Sequence, residues 1–237
     1  MKNFLSALSF LTIIKIKTDK NYTPENFIPY FAIIGFIIGT GLCYLAILTR
    51  NLFFSPALLL IYLTVITGGL HLDGFIDTAD AIFSHRSREK KLEILKDPNV
   101  GSMGIISLVL LFLLEFSAFI ALNELKVLLF IPVYSRFSMI FGMHFLPYLR
   151  ENGLGKPFVK RMNLSVFMQI IPFLFLMILM FDFKFVLYFN LVFFVFVFLI
   201  VRFYKFMLGG ITGDLLGAMN EVMTAVLLIF SAWYLSL

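Results

Sequence analysis

Long apolar stretches alternate with short polar segments along the whole chain. They fall at about 27–49, 52–72, 104–122, 128–149, 166–181, 185–201 and 222–237. Several are shorter than the roughly 20 residues that a membrane-crossing helix prefers. Ahead of them, residues 1–26 carry Phe4, Leu5, Leu8, Phe10, Leu11 and Ile14, a pattern that predicts an interfacial or re-entrant helix. No small-residue cleavage site follows it, so a cleavable signal peptide is not expected. The pattern predicts an all-α, polytopic membrane bundle of about seven helices, folded as one domain over residues 1–237. No internal repeat and no low-complexity linker divides it.

Composition agrees. The chain is 61% hydrophobic and only 14% charged, with a mean hydropathy of +0.98. Soluble domains are nearer half apolar and a quarter charged. The net charge of +5 matters by position. Of the 19 basic residues, all but Arg50, Lys126, Lys184 and the intramembrane Arg136 lie in the N-terminal segment or in the loops after the second, fourth and sixth stretches. Lys17, Lys20, Lys160 and Arg161 belong to that majority. The positive-inside rule then places the N-terminus in the cytoplasm and the C-terminus, with Trp233 and Tyr234 as an interface anchor, outside. The single cysteine, Cys43, excludes an internal disulfide and reads as a packing residue.

Polar chemistry gathers at the same face. In the segment 68–80, Asp73, Asp77 and Asp80 stand at i, i+4 and i+7, one face of a helix. Carboxylates are rare in lipid-embedded segments, and three hard oxygen ligands on one face suit a divalent cation such as Mg²⁺ with a phosphate. Residues 73–103 form the expected active-site region. Within it Arg86, Arg88 and Lys91 are candidates for a polyphosphate clamp, although a basic loop against anionic lipid has the same composition. The amides of Gly101 and Gly104 are candidates to cradle phosphate oxygens. His71 and His85 are ligand candidates or hydrogen-bonded interface residues. A second half-site is expected in 209–221, where Asp214 and Glu221 share a helix face; four glycines there argue against a simple span. Within the spans, Arg136 needs a partner, for which Glu115 is the candidate. His144 reads as a satisfied core histidine, and the many phenylalanines as packing or lipid-facing residues. Nucleophile triads, Walker, GxGxxG, HExxH and CxxC motifs are absent.

The block 68–74 with Asp77-Thr78-Ala79-Asp80, Arg86 to Asp97 and Gly101 resembles the central signature of the cobalamin synthase family, the adenosylcobinamide-GDP ribazoletransferases. Further matches are Pro147-Tyr148, Gly153-Leu154-Gly155, and Gly210 with Thr212-Gly213-Asp214 and Gly217. Phe10-Leu11-Thr12 resembles the family's opening, with Ile13 where arginine is usual. The resemblance implies a Mg²⁺-dependent enzyme of the prokaryotic cytoplasmic membrane, its site facing the cytoplasm. It would join GDP-activated adenosylcobinamide to α-ribazole or its 5′-phosphate, releasing GMP. On this reading Asp73, Asp77 and Asp80 hold the metal. Asp80 or Asp214 accepts the proton, and Arg86, Arg88 or Lys91 stabilises the phosphate oxygens. His71, Asp97, Asn99, Gly101, Thr212 and Glu221 contact substrate. The expected partners are the two substrates and the bilayer, with no nucleic acid; a homo-oligomer or a complex with other cobamide-assembly enzymes stays open. Two other readings compete. A CDP-alcohol phosphotransferase needs Ala-Arg where Asp77-Thr78 stands. A cation-coupled transporter needs polar groups at mid-span, where only Glu115 and Arg136 are expected.

Overall fold

The computed structural model describes residues 2–16, 24–151, 153, 155–159 and 162–236. Lys17, Lys20, Lys160 and Arg161 of the charge pattern, and Leu154 of the Gly153–Gly155 motif, lie outside the described residues. Eleven α-helices follow one another among those described: α1 Lys2–Leu11, α2 Phe31–Thr49, α3 Ser55–Ile66, α4 Leu70–Phe83, α5 Arg88–Ile94, α6 Ser102–Ala121, α7 Ile131–Phe145, α8 Leu164–Phe167, α9 Ile171–Met180, α10 Phe183–Met207 and α11 Gly213–Tyr234. They contain no β-strand. Five segments are long and apolar enough to cross a membrane: Asn26–Thr49, Ser102–Ala121, Leu125–Phe145, Phe183–Met207 and Gly213–Tyr234. A sixth is reached if α3 and α4 count as one bent span, and Leu164–Met180 is shorter. The all-helical class holds; the expected seven through-going spans do not appear as such.

The largest departure lies in the second apolar stretch. A single rod was expected over 52–72, but α3 stops at Ile66 and α4 leaves at 93° to it. Gly68 and Gly69 adopt φ of 62° and 70°, and their amides close back on Val65 O (2.9 Å) and Thr64 O (3.0 Å). Such left-handed residues end helices, and glycine takes the conformation without a Cβ penalty. The hydropathy of the run continues across the break, so composition alone conceals it.

The last span departs the other way. It begins at Gly213, nine residues before the predicted 222, because Thr212 caps it by accepting from Leu215 N at 3.3 Å. The glycine-rich segment is therefore largely helix. Its glycines let α11 approach α4: a Cβ on Gly74 would lie 2.6 Å from Asp214 O, and one on Gly217 would lie 3.0 Å from His71 O.

α7 and α11 form the buried centre; all but three of the fifteen residues of α7 are buried. α6 and α10 lie outside and present exposed leucines and phenylalanines, as lipid-facing helices do. The aromatics pack as expected: Tyr134 sits edge-on to Phe189 and Phe193, with centroids at 5.0 and 5.1 Å. Cys43 is buried and unpaired. His144 is satisfied, its Nδ1 accepting from Met162 N at 2.9 Å.

Candidate functional site

The bend at Gly68-Gly69 sets the geometry of α4. Its Asp73, Asp77 and Asp80 share one face, while Phe75, Thr78 and Ile82 occupy the opposite one. The acidic face turns toward the start of α11. Asp77 lies in the field of Asp73, Asp214, Asp80 and Arg150, so the two half-sites meet in space.

Arg150 is the residue that sequence reasoning missed. By sequence it is one of the basic residues in the loop after the fourth stretch, yet its guanidinium bonds both the carboxylate of Asp214 and the carbonyl of Leu95. A short parallel bridge puts it there. Leu149 N donates to Ile211 O, and Ile211 N to Pro147 O, both at 2.9 Å. The pair of segments flanking Tyr148 and Ile211 is thereby fastened, and Arg150 and Asp214 emerge side by side. Only the neighbouring Pro147-Tyr148 motif hinted at this.

Two cavities meet at the Arg150–Asp214 pair. One, about 680 Å³, is polar and lined by Asp77, Lys96, Asp97 and Glu151 besides the pair. The other, about 210 Å³, is lined by Asp73, His71 and Tyr148, with Phe10, Leu11, Phe31, Met139, Met143 and Phe158 as apolar wall. The opening motif Phe10-Leu11 thus closes a side of the site. Ile13 instead stays exposed and anchors the chain through its amide to Ile66 O at 2.9 Å. Burial pushes the Tyr148 phenol above its ordinary range, so it is a neutral donor at neutral pH.

The remaining candidates divide. Asp80 Oδ2 accepts from Gly101 N and Oδ1 from Gly104 N, each at 2.7 Å. The amides expected to cradle phosphate are thus given to Asp80, which caps α6 as an anion at a helix N-terminus. A Cβ at Gly101 or Gly104 would collide with that carboxylate. Arg88 is spent on structure, donating from Nε to Leu208 O at 2.7 Å. Arg86 is exposed. Lys91 lines a groove on the opposite face of α4. Asp97 accepts from Asn99 N (3.0 Å) and Nδ2 (2.7 Å), which holds its carboxyl below the usual range. Asn99 therefore serves Asp97 rather than the cavity, and Thr212 serves as cap.

Asp214 and Glu221 are seven residues apart, about 10 Å along the helix, and they part company. Glu221 belongs to a deeper polar chamber lined by Thr64, Thr67, Glu115, Arg136 and Asn220. Its volume of about 20 Å³ matches one water. Glu221 Oε1 accepts from Asn220 Nδ2 at 3.0 Å and lies 3.8 Å from His71 Nδ1. The expected Glu115–Arg136 ion pair does not form. Arg136 donates to Pro132 O at 3.2 Å, and its strongest acidic neighbour is Glu221.

Among the described residues no three acidic, histidine or cysteine side chains converge on one point to hold a metal. The donor set nonetheless fits Mg²⁺, which uses one or two carboxylates and takes its other ligands from phosphates and water. Asp73 and Asp77 have no hydrogen-bond partners among the described residues, and with Asp214 they outnumber the single guanidinium.

A multi-pass helical protein with an acidic, arginine-bordered pocket at one end of the bundle is the class that fold and site define. The sequence profile of the Cobalamin-5-phosphate synthase family matches residues 3–232, and the chain belongs to that family. It is 34% identical to the adenosylcobinamide-GDP ribazoletransferase of Fusobacterium nucleatum, covering 95% of both chains. It is also 34% identical to the proteins so named from Desulfitobacterium hafniense, over 94% of this chain and 93% of that one, and Clostridioides difficile, over 97% and 96%. No solved structure matches it.

Proposed function

We propose that the chain is an adenosylcobinamide-GDP ribazoletransferase that performs the last joining step of the cobalamin nucleotide loop. Its relatives carry that name. One observation supports the reading most directly: a single Arg150–Asp214 pair borders two cavities of different character. A two-substrate phosphoryl transfer needs such a meeting place. The polar cavity suits the diphosphate of GDP-activated cobinamide. The Phe- and Met-walled cavity suits the flat base of α-ribazole or its 5′-phosphate.

In the reaction, the ribose hydroxyl of the acceptor attacks the corrinoid-side phosphorus. The bond from that phosphorus to the bridging oxygen breaks, and GMP leaves with the electron pair. Asp214 borders both substrates and accepts the hydroxyl proton, while Arg150 orients Asp214 and faces the phosphate oxygens. Asp80, engaged by two amides, holds α6 against α4 rather than taking the proton. Magnesium, held by Asp73 and Asp77 with phosphate oxygens and water, would offset charge developing on GMP. The basic residues Arg86, Arg88, Lys90, Lys91 and Lys96 flank the same end of the bundle, which supports a cytoplasmic site in a prokaryotic inner membrane.

The test incubates purified protein in lipid with GDP-cobinamide, α-ribazole and Mg²⁺, and follows GMP and the completed corrinoid. Turnover is expected, lost with EDTA and in a folded Asp77→Asn variant. Absence of GMP from folded protein overturns the activity; turnover unaffected by EDTA removes the metal.

A further inference from the structure

The face of α4 opposite the aspartates borders a groove of about 750 Å³ between α4, α6, α10 and α11. Its walls are apolar, with Phe75 and Ile82 on α4, Leu110 and Leu114 on α6, Phe203 on α10 and Ile229 on α11. Leu110, Leu114 and Phe203 are 54%, 53% and 41% exposed, so the groove opens sideways between the outer helices. Along α11 it runs from Ala218 to Ile229, eleven residues or about 16 Å. That is half of the roughly 30 Å hydrocarbon core, the depth of one leaflet.

One end differs from the rest. Lys91 and His85 stand there, at the end of the bundle that carries the acidic site. Arg88, on the same short helix as Lys91, bonds the C-terminal end of α10, and Asp80 bonds the N-terminal end of α6. Lys91 is only 7% exposed, yet among the described residues its ammonium has no hydrogen-bond or ion-pair partner. Thr78 Oγ1, on the α4 wall, is buried and also unpartnered. Among the described residues no acidic one lines the groove. A lysine whose stem lies on apolar surface while its head goes unpaired calls for an anion. Basic pockets between membrane helices take lipid head groups.

We propose that this groove is a binding site for an anionic phospholipid, with one acyl chain between α4, α6, α10 and α11 and the lipid phosphate on Lys91. The charge, the apolar walls and the single-leaflet depth are together what such a lipid presents. The site is separate from the catalytic pocket, since α4 turns its acidic face the other way.

Native mass spectrometry of the full chain, released from detergent holding equal phosphatidylglycerol and phosphatidylcholine, tests this. The wild type is expected to retain one phosphatidylglycerol in preference to phosphatidylcholine. Lys91→Ala should lower that retention about fivefold, the worth of one cation near a lipid surface, and Lys91→Arg should keep it. Leu110→Trp alters a lipid-facing wall residue outside the core, and should lower retention of both lipids by filling the groove. Equal retention of the two lipids by the wild type overturns the proposal. So does unchanged phosphatidylglycerol in folded Lys91→Ala or Leu110→Trp protein, or a second copy of the chain found in the groove in place of lipid.

Discussion

Replacing Asp80 by asparagine distinguishes a carboxylate that supports the fold from one that serves chemistry. Both Asp80 oxygens accept backbone amides, from Gly101 and Gly104, at 2.7 Å. Asparagine keeps one acceptor and turns an NH₂ group toward the other amide, so two donors face each other. A hydrogen bond to a charged group contributes about 1.5–3 kcal/mol, and an orphaned buried donor costs a similar amount. The site is only partly buried, so a loss of about 2–3 kcal/mol is expected. For a chain of this size that lowers the melting temperature by roughly 5–10 °C. Asp77→Asn is the control. Asp77 has no hydrogen-bond partner among the described residues and lies among like charges, so its neutralisation should leave the melting temperature unchanged or raise it. Thermal melts of both variants in the same detergent, followed by helical ellipticity, make the comparison. If Asp80→Asn melts no lower than Asp77→Asn, the capping role is refuted.

Other outcomes follow from the same geometry. Arg150→Lys should reduce kcat/KM by roughly 10- to 100-fold, because Nη2 serves both Asp214 and Leu95 O and a compact ammonium has no second planar donor, Nη1, to offer a phosphate oxygen; steady-state GMP release measures it. Gly74→Val should cost about 1–3 kcal/mol or more by forcing α4 off α11. Gly69→Ala meets no atom within 4 Å and should lose only the roughly 1–2 kcal/mol of a left-handed conformation; chemical denaturation separates the two.

Class and acidic face were legible in the sequence because both are local. Hydropathy over twenty residues marks a helix, and the 73–77–80 spacing marks a face. The features that could not be read depend on distant contacts. The break at Gly68-Gly69 lies inside an unbroken apolar run. The role of Arg150 rests on a bridge between residues 148 and 211. The amides of Gly101 and Gly104 looked free until α4 brought Asp80 to them. The glycines of 209–217 argue against a simple span, yet Thr212 caps α11 and α4 packs on it, which outweighs the weak helix propensity of glycine. Arg136 needs company, as its position in a span implies, but the company is the Pro132 carbonyl one turn back on α7 and Glu221, which only the packing of α11 against α7 brings near.

The twelve residues of α3 extend only about 18 Å, well short of a full hydrocarbon core. The right-angled turn that follows redirects the chain, and α4 runs on beside α6, with its Ile76 and Asp80 against Gly104. A segment that crosses in two pieces meets the bilayer through the angle between them, so hydrocarbon thickness bears on where Asp73 and Asp77 sit. Turnover in vesicles of graded acyl length should accordingly vary with chain length, making bilayer thickness a determinant of catalysis in this protein.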